Sequence, residues 1–256
     1  MNGPFTEKPS QIYEGVPCYL DRFHGDPYND PKDLGIYLKR FEWHSTRTSI
    51  YDSLLLKKKE TLLNLLSVGE GTGEFIASLA AKYPSIQFFA FDLVPGRAVI
   101  ATRLIKHIGL KNVSFYIGSV ERIPFPENFF SGVIERGVFH ILPTELKLKH
   151  LAEIEKVCHG RVMMSHMCDA RKYVSVRWLQ SKLHRNRKIW DDAIVTYRII
   201  DKRLNTLTKM AELVNRVTGH KVEILYHFRG DQELPYSAKC FRILQYLGGI
   251  TYTTEH

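Results

Sequence analysis

The chain has 256 residues, 44% of them hydrophobic and 25% charged, a composition typical of globular proteins. Its 36 lysines and arginines exceed its 27 acidic residues, so the formal net charge is +9 and anionic partners are favoured. The composition excludes collagen, and the four scattered cysteines exclude a disulfide scaffold. The sequence shows neither an amino-terminal signal peptide nor an apolar run near the ~20 residues of a membrane span, so we expect a cytoplasmic protein.

The first 60 residues differ in composition from the rest of the chain. Residues 1–35 are rich in proline, glycine, tyrosine and aspartate, which predicts an irregular arm. Residues 36–60 are predicted to be helical and end in the basic run 57–59. We expect residues 1–60 to form a lid or substrate cap on a main domain that covers residues 61–256.

From residue 61 onward, apolar segments of strand length alternate with amphipathic segments of helix length. The predicted strands are Thr61–Val68, Ile86–Phe91, Val113–Tyr116, Ser131–Glu135 and Val162–His166, and the predicted helices are Glu74–Tyr83, Arg97–Ile108 and Thr144–Cys158. Strands with few polar residues, each followed by a helix, are typical of βαβ units in a parallel sheet. Right-handed crossovers then favour an α/β fold with a doubly wound, Rossmann-like sheet.

Two later segments depart from this alternation. Residues 169–202 are helical in pattern and contain seven lysines and arginines, but no acid, between residues 171 and 188. They predict a helical insertion above the carboxyl edge of the sheet, where doubly wound folds bind ligands. Lys221–Phe228 and Ser237–Leu247 are β-like runs that predict an antiparallel hairpin at the end of the sheet.

A glycine-rich turn joins the first strand to the first helix. The segment 65–75 reads Leu-Leu-Ser-Val-Gly-Glu-Gly-Thr-Gly-Glu-Phe, with glycines at alternate positions 69, 71 and 73. Glycine permits positive φ and a close approach of the backbone to a ligand. Asp92 ends the second strand about 20 residues later, where a carboxylate can accept hydrogen bonds from ribose hydroxyls.

The ends of the third and fourth strands complete the pattern. Gly-Ser-Val-Glu-Arg-Ile-Pro-Phe-Pro occupies 118–126, and Phe-Phe-Ser-Gly-Val-Ile-Glu-Arg-Gly-Val-Phe-His occupies 129–140. With these blocks, residues 62–162 closely resemble class I S-adenosylmethionine-dependent methyltransferases, especially the small-molecule group that includes the ubiquinone and menaquinone enzymes. The GxGxG spacing also differs from the GxGxxG pattern of dinucleotide-binding proteins.

The resemblance implies a cofactor, S-adenosylmethionine, and a set of residues that bind it. Gly69, Gly71 and Gly73 correspond to the turn beneath the methionine and ribose. The remaining implied contacts are Asp92 with the ribose, Leu93, Ser119 and Val120 with the adenine, and Glu135 and Arg136 with the methionine and the reacting methyl group.

The sequence departs from the family pattern at three acidic positions, which carry Ser67, Ser119 and Ser131 instead. We hypothesise that Glu70 and Glu135 supply the missing negative charge near the sulfonium and the amino group.

Methyl transfer requires mainly alignment of the acceptor and exclusion of water, and a general base only when the acceptor retains its proton. His140, His166 and Glu135 are the candidate catalytic residues because they end or follow the fourth and fifth strands. Tyr13, Tyr19 and His44 are candidate substrate contacts in the cap. A shared zinc site is not expected, since the fifth strand separates His159 from His166 by roughly 23 Å.

The basic insertion has two interpretations. It is either a solvated helix face or a clamp, including Arg177 and Arg185, for an acceptor that carries a carboxylate or phosphate. We predict a methyltransferase, monomeric or homodimeric, that acts on a small molecule in secondary or cofactor metabolism. The alternatives are an RNA methyltransferase, which the +9 charge favours but no RNA-binding module or motif supports, and a non-catalytic binding subunit that kept the fold.

Overall fold

The computed structural model describes residues 4–21, 34–45, 63–167, 170–183, 185–199, 207–228, 232–233 and 247–254. Its strands are β1 Gln11–Tyr13, β2 Val16–Cys18, β3 Asn64–Val68, β4 Gln87–Asp92, β5 Val113–Ile117, β6 Phe130–Arg136, β7 Cys158–Met167, β8 Glu223–Phe228, β9 Gln232–Glu233 and β10 Leu247–Thr253. Its helices are α1 Gly35–Ser45, α2 Glu74–Lys82, α3 Pro95–Ile108, α4 Thr144–Val157, α5 Ala170–Leu183, α6 Arg187–Ile199 and α7 Leu207–Thr218.

The strands form one sheet in the order β1-β2-β5-β4-β3-β6-β7-β10-β8-β9. The strands from β2 to β7 in this order are parallel, and the pairs at both ends are antiparallel. The chain continues from β3 to β4 on one side, and β6 pairs with β3 on the other side. This reversal creates a switch point at the carboxyl end of β3, which is where such sheets bind ligands.

Two apolar layers cover the faces of the central sheet. Leu65 of β3 packs into the layer that α2 and α3 contribute to, whereas its neighbour Leu66 packs into the layer of α4 and α7. Consecutive strand residues point to opposite faces, so a strand buried on both sides is apolar throughout. The α/β prediction and the doubly wound Rossmann-like sheet are confirmed.

The amino-terminal arm is more regular than the sequence predicts. Residues 11–18 form a hairpin whose two turn residues, Glu14 and Gly15, have φ of 46° and 84°. Two-residue turns with positive φ at both positions match the twist of the strands that they join. β2 then pairs with β5, so the arm adds two strands to the sheet where we expected irregular structure.

The predicted antiparallel strands at the end of the sheet are confirmed, but the last strand lies later in the sequence than predicted. The strand that pairs with both β7 and β8 is Leu247–Thr253, which begins where the predicted second run ends. Residues 237–246 of that run lie outside the described residues, as do residues 46–60 of the predicted first helix. The predicted insertion contains two helices, α5 and α6, which pack on each other. Across the described ranges, no helix has both the length and the apolar character needed to cross a membrane.

Candidate active site

The glycine turn between β3 and α2 combines tight packing with one open position. Gly69, Gly71 and Gly73 have φ of 62°, 73° and 85°, a conformation that side chains disfavour. A Cβ atom at Gly69 would lie 2.1 Å from Val138 Cγ2, and one at Gly73 would lie 2.7 Å from Ala101 Cβ. A Cβ at Gly71 would meet no atom within 4 Å, so Gly71 borders the open side of the turn.

Asp92 links this turn to the end of β4. Its Oδ2 atom accepts a hydrogen bond from the Gly71 amide, and its Oδ1 atom accepts one from the Val94 amide, both at 2.9 Å. The guanidinium of Arg97 lies 4.0 Å from Oδ2. Burial nevertheless raises the pKa of Asp92 above its ordinary value, while the next residue, Leu93, is 53% exposed. A buried carboxylate and an exposed apolar side chain therefore lie together beside Gly71.

The end of β5 is adjacent to that of β4. The Gly118 amide donates to the Asp92 carbonyl at 3.1 Å. Ser119 accepts a hydrogen bond from the Glu121 amide on its Oγ atom, and Val120 is buried in the apolar layer. The structure thus brings the predicted ribose and adenine contacts to neighbouring strand ends.

Glu70 is partly buried behind the glycine turn. Its carboxylate accepts hydrogen bonds from the Ser67 hydroxyl at 2.5 Å and from the Ile76 amide at 2.9 Å. Burial raises the pKa of Glu70 to about 7, although the nearby charge of Arg136 opposes the shift. The Arg136 guanidinium itself lies 3.9 Å from the ring centre of Phe75 at the start of α2. The carboxylate of Glu70 therefore occupies the surroundings of Ser67, one of the positions where the resembled family has an acid.

Glu135 is fully buried at the end of β6. Its Oε1 atom accepts hydrogen bonds from the amides of Val138, at 2.8 Å, and Phe139, at 3.0 Å. Burial raises the pKa of Glu135 to about 7. These contacts hold the turn that presses Val138 against Gly69, while the second oxygen, Oε2, has no hydrogen-bond partner among the described residues. The catalytic role of Glu135 stays a prediction.

The three candidate histidines lie at the carboxyl edge or close to it. His140 is 7% exposed in the turn after β6, and burial together with the charge of Lys147 lowers its pKa to about 4. His44 of α1 lies edge-on to Phe75 with 5.9 Å between ring centres. His166 follows Ser165, whose backbone pairs with Arg136 at the end of β6.

Of the remaining substrate candidates, Tyr19 and Tyr13 do not lie at this edge, and Arg177 and Arg185 lie beyond the carboxyl end of β7. Tyr19 is buried and stacks on Phe5 with 4.9 Å between ring centres, so it belongs to the core. Tyr13 lies at the turn end of the hairpin, away from the carboxyl end of β5. Arg177 is on α5, where its Nη1 atom donates to Gln180, and Arg185 is exposed in the turn before α6.

Sequence reasoning missed two features of this edge. α1 packs on α2, where the Ser78 hydroxyl donates to the Phe41 carbonyl at 3.1 Å and Arg40 lies 3.5 Å from Glu74. Lys147 of α4 is completely buried, although lysine is almost never buried without a partner. The helical spacing could have indicated it, because Lys147 falls on the core-facing stripe of α4.

Comparison with known proteins identifies the central part of the chain. Residues 65–160 match the model of a methyltransferase domain. The chain contains a methyltransferase domain. The matched segment runs from β3 to the start of β7 and includes the glycine turn, Asp92 and Glu135. The methyl donor of this class of enzymes is S-adenosylmethionine. No curated protein matches the chain significantly.

Solved structures with low sequence identity share the fold. The plantazolicin methyltransferase BpumL, in complex with S-adenosylhomocysteine (SAH), aligns with a TM-score of 0.60 and 14% identity over 86% of each chain. A Haemonchus contortus phosphoethanolamine N-methyltransferase 2, in complex with S-adenosyl-L-methionine, aligns at 0.59 and 14%, over 86% of this chain and 57% of that one. A complex of the Haloferax volcanii Trm112 methyltransferase activator with a putative methyltransferase aligns at 0.56 and 14%, over 89% and 98%.

Proposed function

We propose that this methyltransferase binds S-adenosylmethionine at the switch point and transfers its methyl group to a small-molecule acceptor. The observation that carries the proposal is the pairing of the Asp92 carboxylate with the Gly71 amide beside the open face of the turn. A ribose needs a carboxylate there, an adenine needs an apolar neighbour such as Leu93, and the methionine needs a turn without side chains. The residues present fit the cofactor.

When bound, the cofactor supplies an electrophilic methyl group with an excellent leaving group. In the proposal, Asp92 binds the ribose, Leu93, Ser119 and Val120 surround the adenine, and the turn 69–73 supports the methionine. The charge of Arg136 acts on Glu70, and its guanidinium lies over the ring of Phe75. We assign the carboxylate of the methionine to Arg136, since a guanidinium has donors in a planar fork that matches a carboxylate.

The chain's own residues then align the acceptor and exclude water. α1 lies against α2, which begins at the carboxyl end of β3, so the part of residues 1–60 that contains α1 can act as a cap over this edge. His140 is neutral at pH 7 because its pKa is lowered to about 4, so in the proposal its imidazole orients the acceptor by a hydrogen bond and is only a weak base. His166, His44 and the pair Arg177 and Arg185 stay as proposed contacts of the acceptor.

The basic helices α5 and α6 support an acceptor with a carboxylate or phosphate. Arg177, Arg185, Arg187 and Lys188 lie on or between these helices, which follow the carboxyl end of β7. Among the described residues, the buried Nε atom of Arg177 has no hydrogen-bond partner. A role in secondary or cofactor metabolism, a relation to the ubiquinone and menaquinone group, a cytoplasmic location and a monomeric or homodimeric state are parts of the same proposal.

The test is transfer of a labelled methyl group from S-adenosylmethionine to a panel of small acids, phosphates and neutral matched analogues. We expect product with an anionic acceptor and a loss of at least tenfold in kcat/KM in Arg177→Ala. Labelling of RNA together with salt-sensitive RNA retention would instead favour the RNA methyltransferase, which the net charge of +9 supports. A folded protein that ignores the cofactor would be the non-catalytic binding subunit.

A further inference from the structure

The turn between β6 and α4 is held at both ends by buried charges. At its start, the Glu135 carboxylate accepts hydrogen bonds from the amides of Val138 and Phe139. At its end, the Lys147 ammonium donates to the Leu142 carbonyl. The five residues 138–142 are thus fixed between a buried acid and a buried base.

Lys147 occupies a place on α4 that is normally apolar. The buried residues of this helix are Lys147, His150, Leu151, Ile154 and Val157, which form one core-facing stripe. Burying an ammonium group carries a large desolvation cost, and an apolar residue of similar volume is often as stable or more stable. The ammonium therefore needs compensating partners, which include the Leu142 carbonyl and the face of Phe139, 5.8 Å away.

Glu135 provides the opposite charge. Its Oε2 atom is buried and has no hydrogen-bond partner among the described residues. A nearby cation favours the ionised form of such a carboxyl group. Burial opposes the ionisation of Glu135, whereas the amides of Phe139 and Val138 and, after them, the charge of Lys147 favour it. The charge of Lys147 also acts on His140. The charge of Glu135 also acts on Tyr252 of β10. Burial raises the pKa of the Tyr252 phenol well above its ordinary value, so this group stays neutral. Lys147 is thus the cation that balances Glu135 in the described part of the chain.

The ionised state of Glu135 affects the glycine turn, because the segment that Glu135 holds contacts that turn through Val138. Hydrogen bonds from amides to a carboxylate are roughly twice as strong as those to a neutral acceptor. Val138, whose amide is one of the two donors, lies against Gly69 so closely that a Cβ there would approach its Cγ2 atom to 2.1 Å. Any loosening at Val138 is therefore transmitted to the glycine turn.

We propose that Lys147 is a positioning residue whose buried ammonium keeps Glu135 ionised, so that Glu135 clamps Val138 against the glycine turn. The link to cofactor affinity rests on the proposed function, whereas the link from Lys147 to the turn does not. Lys147 contacts neither reacting atoms nor substrate in this proposal. It acts through Glu135, two steps from the cofactor.

The test measures amide hydrogen exchange of Val138 and Phe139, without ligand, in wild type, Lys147→Met, Glu135→Gln and the double variant. At pH 7.5 we expect the protection of both amides to fall about tenfold in Lys147→Met, because a neutral Glu135 binds them more weakly. In the Glu135→Gln background, Lys147→Met should have no further effect on these amides. Lys149→Met is the matched control, since Lys149 is on the same helix with its side chain 62% exposed.

A second arm separates charge from packing. We expect pH 9 to ionise Glu135 even without its cation, so protection in Lys147→Met should return toward the wild-type value. Equal protection in wild type and Lys147→Met, additive effects in the double variant, or no recovery at pH 9 would each overturn the proposal. If Lys147→Met does not fold, wild type alone decides, because its protection must follow the ionisation of Glu135 near pH 7.

The affinity for SAH is measured by calorimetry on the same proteins. We expect Lys147→Met to bind SAH about fivefold more weakly than wild type at pH 7.5, and Lys149→Met to bind like wild type. If wild type itself does not bind SAH, the proposed function fails while the exchange data still judge Lys147. If wild type binds and Lys147→Met binds equally well despite faster exchange, the transmission from Val138 to the glycine turn is wrong.

Discussion

Replacing Glu70 by glutamine gives a stability change whose sign and size follow from the burial of this carboxylate. Its pKa in the folded protein is about 7, against an ordinary value of 4.5. The unfolded chain therefore releases the proton near pH 4.5, while the folded protein retains it until about pH 7. Folding is thus favoured below pH 4.5, and this contribution is lost as the pH rises through 7.

The size of the effect follows from the shift in pKa. A difference of about 2.5 units corresponds to about 3 kcal/mol in the free energy of unfolding. Glutamine cannot ionise, and its amide can keep the contacts, because its oxygen can accept from Ile76 and its NH₂ can donate to Ser67. We therefore expect Glu70→Gln to be more stable than wild type at pH 8, by up to about 3 kcal/mol, and similar to it at pH 4.

Urea unfolding followed by circular dichroism at pH 4, 6 and 8 measures this difference, with the exposed Glu127→Gln as control. The difference between Glu70→Gln and wild type should grow with pH, whereas the control should show no such trend. A constant difference, or a less stable Glu70→Gln at pH 8, would refute the assignment of a buried, costly carboxylate.

The same substitution also tests why the costly charge is there. S-adenosylmethionine carries a positive sulfonium that SAH lacks, so a carboxylate that compensates this charge favours the methyl donor. Calorimetry with both ligands should show that Glu70→Gln weakens binding of S-adenosylmethionine about fivefold more than binding of SAH. Equal losses for the two ligands would show that Glu70 does not compensate the sulfonium.

Two further predictions concern the glycine turn and acid stability. Gly71→Ala should fold with a loss of about 1–2 kcal/mol, because only its positive φ is strained, yet bind SAH at least tenfold more weakly. Gly69→Ala should be destabilised further, and Val138→Ala should restore part of its stability in thermal melts; equal melting temperatures for the two glycine variants would contradict this. His150 has a pKa lowered to about 4 by burial, so the stability of wild type relative to His150→Phe should fall by up to about 3 kcal/mol as the pH falls from 6.5 to 4. His150→Phe should lose less over this range in urea titrations, and an unchanged pH dependence would count against the assignment.

Much of the sheet could be predicted because its central strands are buried on both faces. Such strands appear in the sequence as continuous apolar runs. The turn appears as alternate glycines, because its positive φ angles favour glycine over other residues. The hairpin at 11–18 was missed because its three-residue strands are too short to show alternation. The Glu14-Gly15 turn is also hard to recognise, because the prolines of the arm favour irregular structure over strands.

The polar interior of the site was less accessible from sequence. Glu135 and Glu70 were selected as acids near the cofactor, but their hydrogen bonds to the turns at 138–139 and at Ile76 depend on contacts within the folded site. The helical spacing of α4 places Lys147 on the same stripe as Leu151 and Ile154, but only the structure shows which group its ammonium contacts. Likewise, the strand Leu247–Thr253 contains Gly248 and Gly249, which disfavour a strand, and is held by pairing on both sides.

The most direct test of the account is the affinity of the purified protein for SAH, measured by calorimetry in wild type, Asp92→Ala and the exposed control Asp191→Ala. Asp92→Ala removes the carboxylate that accepts a hydrogen bond from the Gly71 amide and, in the proposal, from the ribose hydroxyls. We therefore expect the dissociation constant for SAH to be at least tenfold larger in this variant. Asp191→Ala should match wild type. Binding by Asp92→Ala as tight as that of wild type, or no binding by wild type at millimolar SAH, would contradict the placement of the cofactor at the switch point.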